Sequence, residues 1–164
     1  MTRNLVGING VFGFQQVRNG VVIAEEKFRN TVVDEGVANL FDAGFGGVAA
    51  TDPWYIGLIS NTGSPVLLTT DTLASHANWT EIVPTTGYTG NRQEWNEAAT
   101  ASRVIGTTSV SAFPILLTAT LYGMFICSAA TGTSGVIWSE GAFAAVQPIV
   151  NGDTINATYE LEMS

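Results

Sequence analysis

Apolar and polar positions alternate along most of this chain, and one stretch departs from that alternation. Residues 10–28, GVFGFQQVRNGVVIAEEKF, form two β-rich runs around Asn19-Gly20, a pair that tolerates the positive φ of a tight hairpin turn. In TVVDEGVANLFDAGFGG the period changes. Val33, Val37, Leu40 and Phe41 fall at i, i+4, i+7 and i+8, one face of a helix. Asp34 and Glu35 suit its positive N-terminal end and Gly44 its stop, which predicts a short helix near residues 33–43. After Pro53 the run WYIGLIS is apolar on both faces, as in a buried central strand. DTLASH reads as a single helical turn capped by Asp71, and WTEIV resumes extended structure. Short β-runs follow near residues 103–110, 112–119 and 121–128, then VIWSEGAF. In DTINATYELEM, Ile155, Ala157, Tyr159, Leu161 and Met163 alternate with polar neighbours, the period-two pattern of a half-buried strand.

Many short strands with turn signals between them predict an antiparallel β-sandwich or barrel with one helix packed on its side. No linker or charge block divides the 164 residues, so the expectation is a single β-rich domain, with residues 1–28 as an N-terminal arm or hairpin. Composition adds a constraint on the surface. Apolar residues make up 46% of the chain and charged ones only 12%, about half the usual share. A thinly charged chain with mean hydropathy +0.25 is easiest to explain if part of its surface is covered in an assembly. The formal net charge of −8, without any Lys/Arg cluster, disfavours nucleic acid as a partner. No apolar run is long enough to span a bilayer, and MTRNLVGING lacks the apolar core of a signal peptide, so a soluble protein made in a cytoplasm is expected.

Candidate chemistry is sparse. His76 is the single histidine and lies near Trp79 and Glu81, but no nucleophile-elbow pattern accompanies it; a hydrogen bond to the backbone of its own loop, or a place facing solvent, is the simpler role. Glu94 and Glu97 flank Trp95 in QEWNEA, which invites a sugar platform, while the plainer expectation packs Trp95 inward and leaves the acids in water. One His and one Cys do not make a zinc site, and no phosphate-cradling glycine motif or EF-hand spacing occurs. Cys127, inside LYGMFICS, reads as a buried small hydrophobe. Neither catalytic, metal nor cofactor residues are expected.

Taken in order, FRNTVVDEGVANLFDAGFGG, WYIGLIS, DTLASHANWTEI with Tyr88, Arg92 and Trp95, IWSEGAF and VNGDTINATYEL resemble a family of small virion proteins of tailed bacteriophages, the head decoration (cement) proteins. The resemblance runs from about residue 28 to the C-terminus. It implies a β-rich, non-enzymatic protein on the outer capsid surface of the virion, a homotrimer that clamps major capsid protein subunits against the pressure of packaged DNA. A tail, baseplate or fibre component would share most of these landmarks. A carbohydrate-binding β-sandwich using Trp79 or Trp95 is the third alternative. On the decoration reading Trp79 and Trp95 are anchors, Tyr88 bridges them, and Arg92 pairs with Glu81 or Glu94. Residues 1–12 are then an arm that grips a neighbour by strand addition, with Leu5, Val6, Ile8, Val11 and Phe12 as its contacts. The loops at residues 60–78 and 84–100 supply the rest of the exposed interaction surface.

Overall fold

The computed structural model describes residues 7–164, and among these it contains thirteen strands and one helix. The strands build two antiparallel sheets that face each other across one core, the β-sandwich that the alternating pattern predicts. In the first sheet β1 (Ile8–Arg18) lies between β2 (Val21–Arg29) and β13 (Thr154–Met163), and β10 (Ser111–Pro114) and β8 (Val104–Ile105) add to β13. In the second, β11 (Ala119–Cys127) lies between β12 (Ile137–Ile149) and β4 (Tyr55–Ser60). There β3 (Thr31–Val32) extends β12, while β5 (Thr80–Glu81) and β6 (Gln93–Glu94) extend β4. A small ribbon of β7 (Asn96–Glu97) and β9 (Thr107–Ser109) stands apart.

The hairpin forms where Asn19-Gly20 places it, with φ of 51° and 76° at the two turn residues. From there the period-two pattern sends Phe12 and Phe14 inward from β1, and Ile155, Ala157 and Tyr159 inward from β13. They meet Ile56, Leu58, Met124 and Ile126 of the opposite sheet. Tyr159 sits at the centre of this core. Its ring lies 4.7 Å from Phe12 and 5.2 Å from Trp95, and its hydroxyl accepts hydrogen bonds from Asn30 and Trp138 Nε1. Trp138 reaches it because β12 carries a bulge: Ile126 pairs with Ser139 and Cys127 with Ile137, which leaves Trp138 as the extra residue. A second irregularity, where Phe143–Val146 stand opposite Tyr122 alone, bends β12 over to the first sheet. Phe143 then packs between Phe14 and Phe28, and the Ala144 amide donates to Glu26 at 2.7 Å.

The second sheet carries a further core on its outer face. Its strands send Ile59, Phe125, Cys127 and Ile137 outward, and the loop after β4 folds back over them with Leu73 and Trp79. WYIGLIS is apolar on both faces because it serves both cores. DTLASH is not a helical turn. Thr72 and Ser75 exchange backbone hydrogen bonds in a tight turn, and the Asp71 carboxylate turns back to accept from the Leu68 amide and from Trp79 Nε1.

The helix α1 runs from Asp34 to Phe45, two residues beyond the expected end, and stops at Gly46. The apolar face proposed for it does not become a buried stripe. Val33, just ahead of the helix, and Gly36 are buried, whereas Leu40 and Phe41 are exposed. Gly36 is the point of contact: a Cβ there would run into the Trp138 carbonyl oxygen and lie 2.8 Å from the Trp138 Cα. Alanine normally improves a helix relative to glycine by about 0.5–1 kcal/mol. Here Gly36→Ala should lower stability by about 1–3 kcal/mol, as overpacking against backbone does. Thermal unfolding checks it, and a melting temperature equal to or above that of the native protein contradicts this account of helix docking.

Candidate functional site

The residues chosen from sequence as an interaction surface are mostly interior. Phe12 is fully buried, and Trp79 and Trp95 are only 4% and 5% exposed. Trp79 lies in the outer core and Trp95 in the sandwich core, so Tyr88 does not bridge them; it packs edge-on against Phe113, 5.0 Å away. The Trp95 indole N–H is spent on Thr107 Oγ1 and the Tyr159 carbonyl. Neither tryptophan offers a face on which a sugar ring could stack.

Ile8 and Val11 are half-buried on β1, a strand paired on both sides from Val11 onward. Residues 8–12 are therefore a paired strand of the first sheet rather than a free arm, while Leu5 and Val6 lie outside the described residues. The loops at 60–78 and 84–100 are likewise anchored, through Leu73 and through Tyr88, Arg92 and Trp95. His76 takes the structural role: its ring stacks on Trp79 at 3.9 Å, with Nδ1 3.3 Å from the Trp79 carbonyl.

Charged side chains are buried at three places. Arg92 forms a two-pronged pair with Glu81, at 2.8 and 2.7 Å, donates to the Ala129 carbonyl and lies over the Phe125 ring. Of the two partners expected for it, Glu81 is the one used. Burial alone would lower the Arg92 pKa, but the Glu81 hydrogen bonds and surrounding negative groups more than reverse this. Glu140, beside Asp71, is the second. It is fully buried on the outer face of the second sheet, and neither carboxyl oxygen has a hydrogen-bond partner. Burial, and then the neighbouring Asp71 carboxylate, push its pKa up to about 8. The Leu68 and Trp79 N–H groups pull the other way, but both close their hydrogen bonds on Asp71. Asp153 is the third: it accepts hydrogen bonds from Arg18, the Val150 amide and Gln16, and these hold its pKa down at about 2. Cys127 is buried and its thiol is pushed up to about 11 by that burial.

The surface itself presents uncovered apolar side chains in places the sequence pattern assigned to packing. On α1 and the segment after it, Phe41 is 59% exposed, Phe45 88% and Val48 55%, with Leu40 beside them. At the hairpin tip Val21, Val22 and Ile23 are exposed in succession, so neither face of the tip is covered. Beside α1, at the end of the sandwich away from the hairpin tip, an apolar cleft of about 210 Å³ opens, floored by Trp54, Trp95 and Trp138. Large uncovered apolar patches mark places where something else packs. The only sequence signal for them was the low charge content. No protein-family model matches the chain, and comparison with curated proteins gives no match.

Proposed function

We propose that this chain is a non-enzymatic structural protein of a tailed-phage virion. In this reading it is a decoration protein that binds the outer capsid surface as a homotrimer and ties major capsid protein subunits together. The observation that carries this reading is the uncovered apolar face of α1, Phe41 and Phe45 above all, on a chain with few charges to keep it solvated. Aromatic side chains held on a rigid helix make efficient anchors, because little conformational freedom is lost when they dock. A trimer repeats that face three times, and simultaneous engagement of three sites on a capsid gains avidity well beyond one contact.

The α1 face is the part assigned to the capsid. Phe41→Ser with Phe45→Ser removes two exposed rings and leaves both cores untouched, so the melting temperature should stay within a degree or two. Affinity for expanded, DNA-free heads of the cognate phage, measured by co-sedimentation, should fall at least tenfold. Equal binding by the variant contradicts the assignment of α1. Binding of the native protein to tails instead of heads transfers the chain to the tail, baseplate or fibre.

A further inference from the structure

The hairpin tip and the Trp-floored cleft lie at opposite ends of the same sandwich. Val17, beside the tip, pairs with Thr154, and Gly10 pairs with Leu161, which lines the cleft. Seven residue steps along β13 separate the two pairs, roughly 23 Å at the ordinary rise of a strand. The chain thus has an apolar projection at one end and an apolar recess at the other.

The projection is an unusual one. Turn tips are ordinarily polar, but after Asn19-Gly20 this one continues with Val21, Val22 and Ile23, each about half exposed or more. β2 is also an edge strand. Its later half is protected by Glu25, Glu26, Lys27 and the Ala144–Glu26 hydrogen bond to β12, while the first half carries no charge at all. The recess complements it in size and character. An apolar cavity of ~150 Å³ is enough for a benzene ring, so about 210 Å³ lined by Leu40, Trp54, Ile105 and Leu161 takes a branched aliphatic side chain or two. The rim completes the match. Asp52 and Glu97 stand at the recess. Arg18 stands at the base of the projection; the buried Asp153 holds its Nε and Nη2, and 40% of its side chain stays exposed.

We propose that the hairpin tip of one copy of this chain, Val21–Ile23, seats in the Trp-floored cleft of a second copy. The contact is heterologous, tip to recess, so each copy keeps one of each free for the next, and a ring results wherever the rotation closes. This rests on the assembly reading above and specifies the contact that joins the copies. It leaves Phe41 and Phe45 of α1 for the capsid.

The test is site-directed crosslinking of the purified protein with a short bis-maleimide. Cys127, buried, provides a quiet background. Ile23→Cys places a thiol on the tip and Leu40→Cys one at the recess. Ile23→Cys with Leu40→Cys in one chain should give a ladder of crosslinked oligomers, each single variant none, and a mixture of the two single variants dimers only. A dimer from Ile23→Cys alone means tip-to-tip pairing and overturns the proposal. Light scattering supplies the second arm: Val22→Glu with Ile23→Glu should weaken self-association tenfold or more without moving the melting temperature. If the native protein and this variant are equally oligomeric and no pair crosslinks, the contact is wrong while the assembly reading stands. If the native protein is monomeric at every concentration, and no pair crosslinks, the trimer falls with it.

Discussion

Arg92→Ala should lower the stability of this protein by about 3 kcal/mol, as loss of one partner from a buried ion pair does. The guanidinium is almost wholly inside, 2% exposed, and Glu81 retains 14%, so water can solvate the orphaned carboxylate only in part. The substitution also strips the Ala129 carbonyl of its donor and takes the cation from the Phe125 ring. That carbonyl and that ring belong to the loop and strand that close the outer core, so the loss falls where the second sheet is held to its cover. Arg92→Lys should recover little, since an ammonium cannot make both parallel bonds to Glu81. Replacing Arg92 and Glu81 together by Met and Leu should cost far less than Arg92→Ala, because no charge is left unpaired. Urea denaturation of the set checks this. A loss below about 1 kcal/mol for Arg92→Ala means the pair behaves like a surface salt bridge.

Glu140→Gln should remove a fall in stability that the native protein shows as pH rises. The carboxyl has no hydrogen-bond partner, and burial beside Asp71 raises its pKa from the ordinary 4.5 to about 8. The folded chain therefore holds this proton more tightly than the unfolded chain does. Its contribution is complete below about pH 4.5 and is lost progressively as pH climbs through 8, at up to ~1.4 kcal/mol per pH unit. The groups that act on it are the Asp71 carboxylate and the Leu68 and Trp79 N–H groups of the covering loop. Asp153 acts in the opposite sense and elsewhere in the pH scale: its pKa of about 2 lends stability above 3.8 that disappears in strong acid. Between pH 5 and 9 the Gln variant should thus stay flat where the native protein declines. Parallel slopes for the two proteins contradict a protonated Glu140.

Much of this fold was legible locally. Asn19-Gly20 marks its hairpin by turn chemistry alone, and the alternation from Ile155 to Leu161 fixes which face of β13 looks inward. Long-range covering was not legible. The loop between β4 and β5 places Leu73 and Trp79 on Phe125 and Ile137 with no period in its own sequence, so it read as an exposed surface. For the same reason Trp79 and Tyr88, contacts on the decoration reading, are core, and Trp95 follows its plainer expectation of packing inward. The opposite error befell α1. Val37, Leu40 and Phe41 do share a face, but the sandwich already has its core, and only Val33 and Gly36 reach it. One signal went unused: the acid of VIWSEGAF sits mid-strand in an apolar run, where a carboxyl has to be either paired or protonated.

The central claim is that the uncovered apolar surfaces serve assembly on a phage head. Purified virions separated into DNA-filled heads and free tails answer it, by the copy number of the 17.3 kDa chain in each fraction relative to the major capsid protein. Hundreds of copies on heads is the result predicted for a decoration protein. A few copies, or tens, on tails contradicts it and assigns the same surfaces to a tail or baseplate joint.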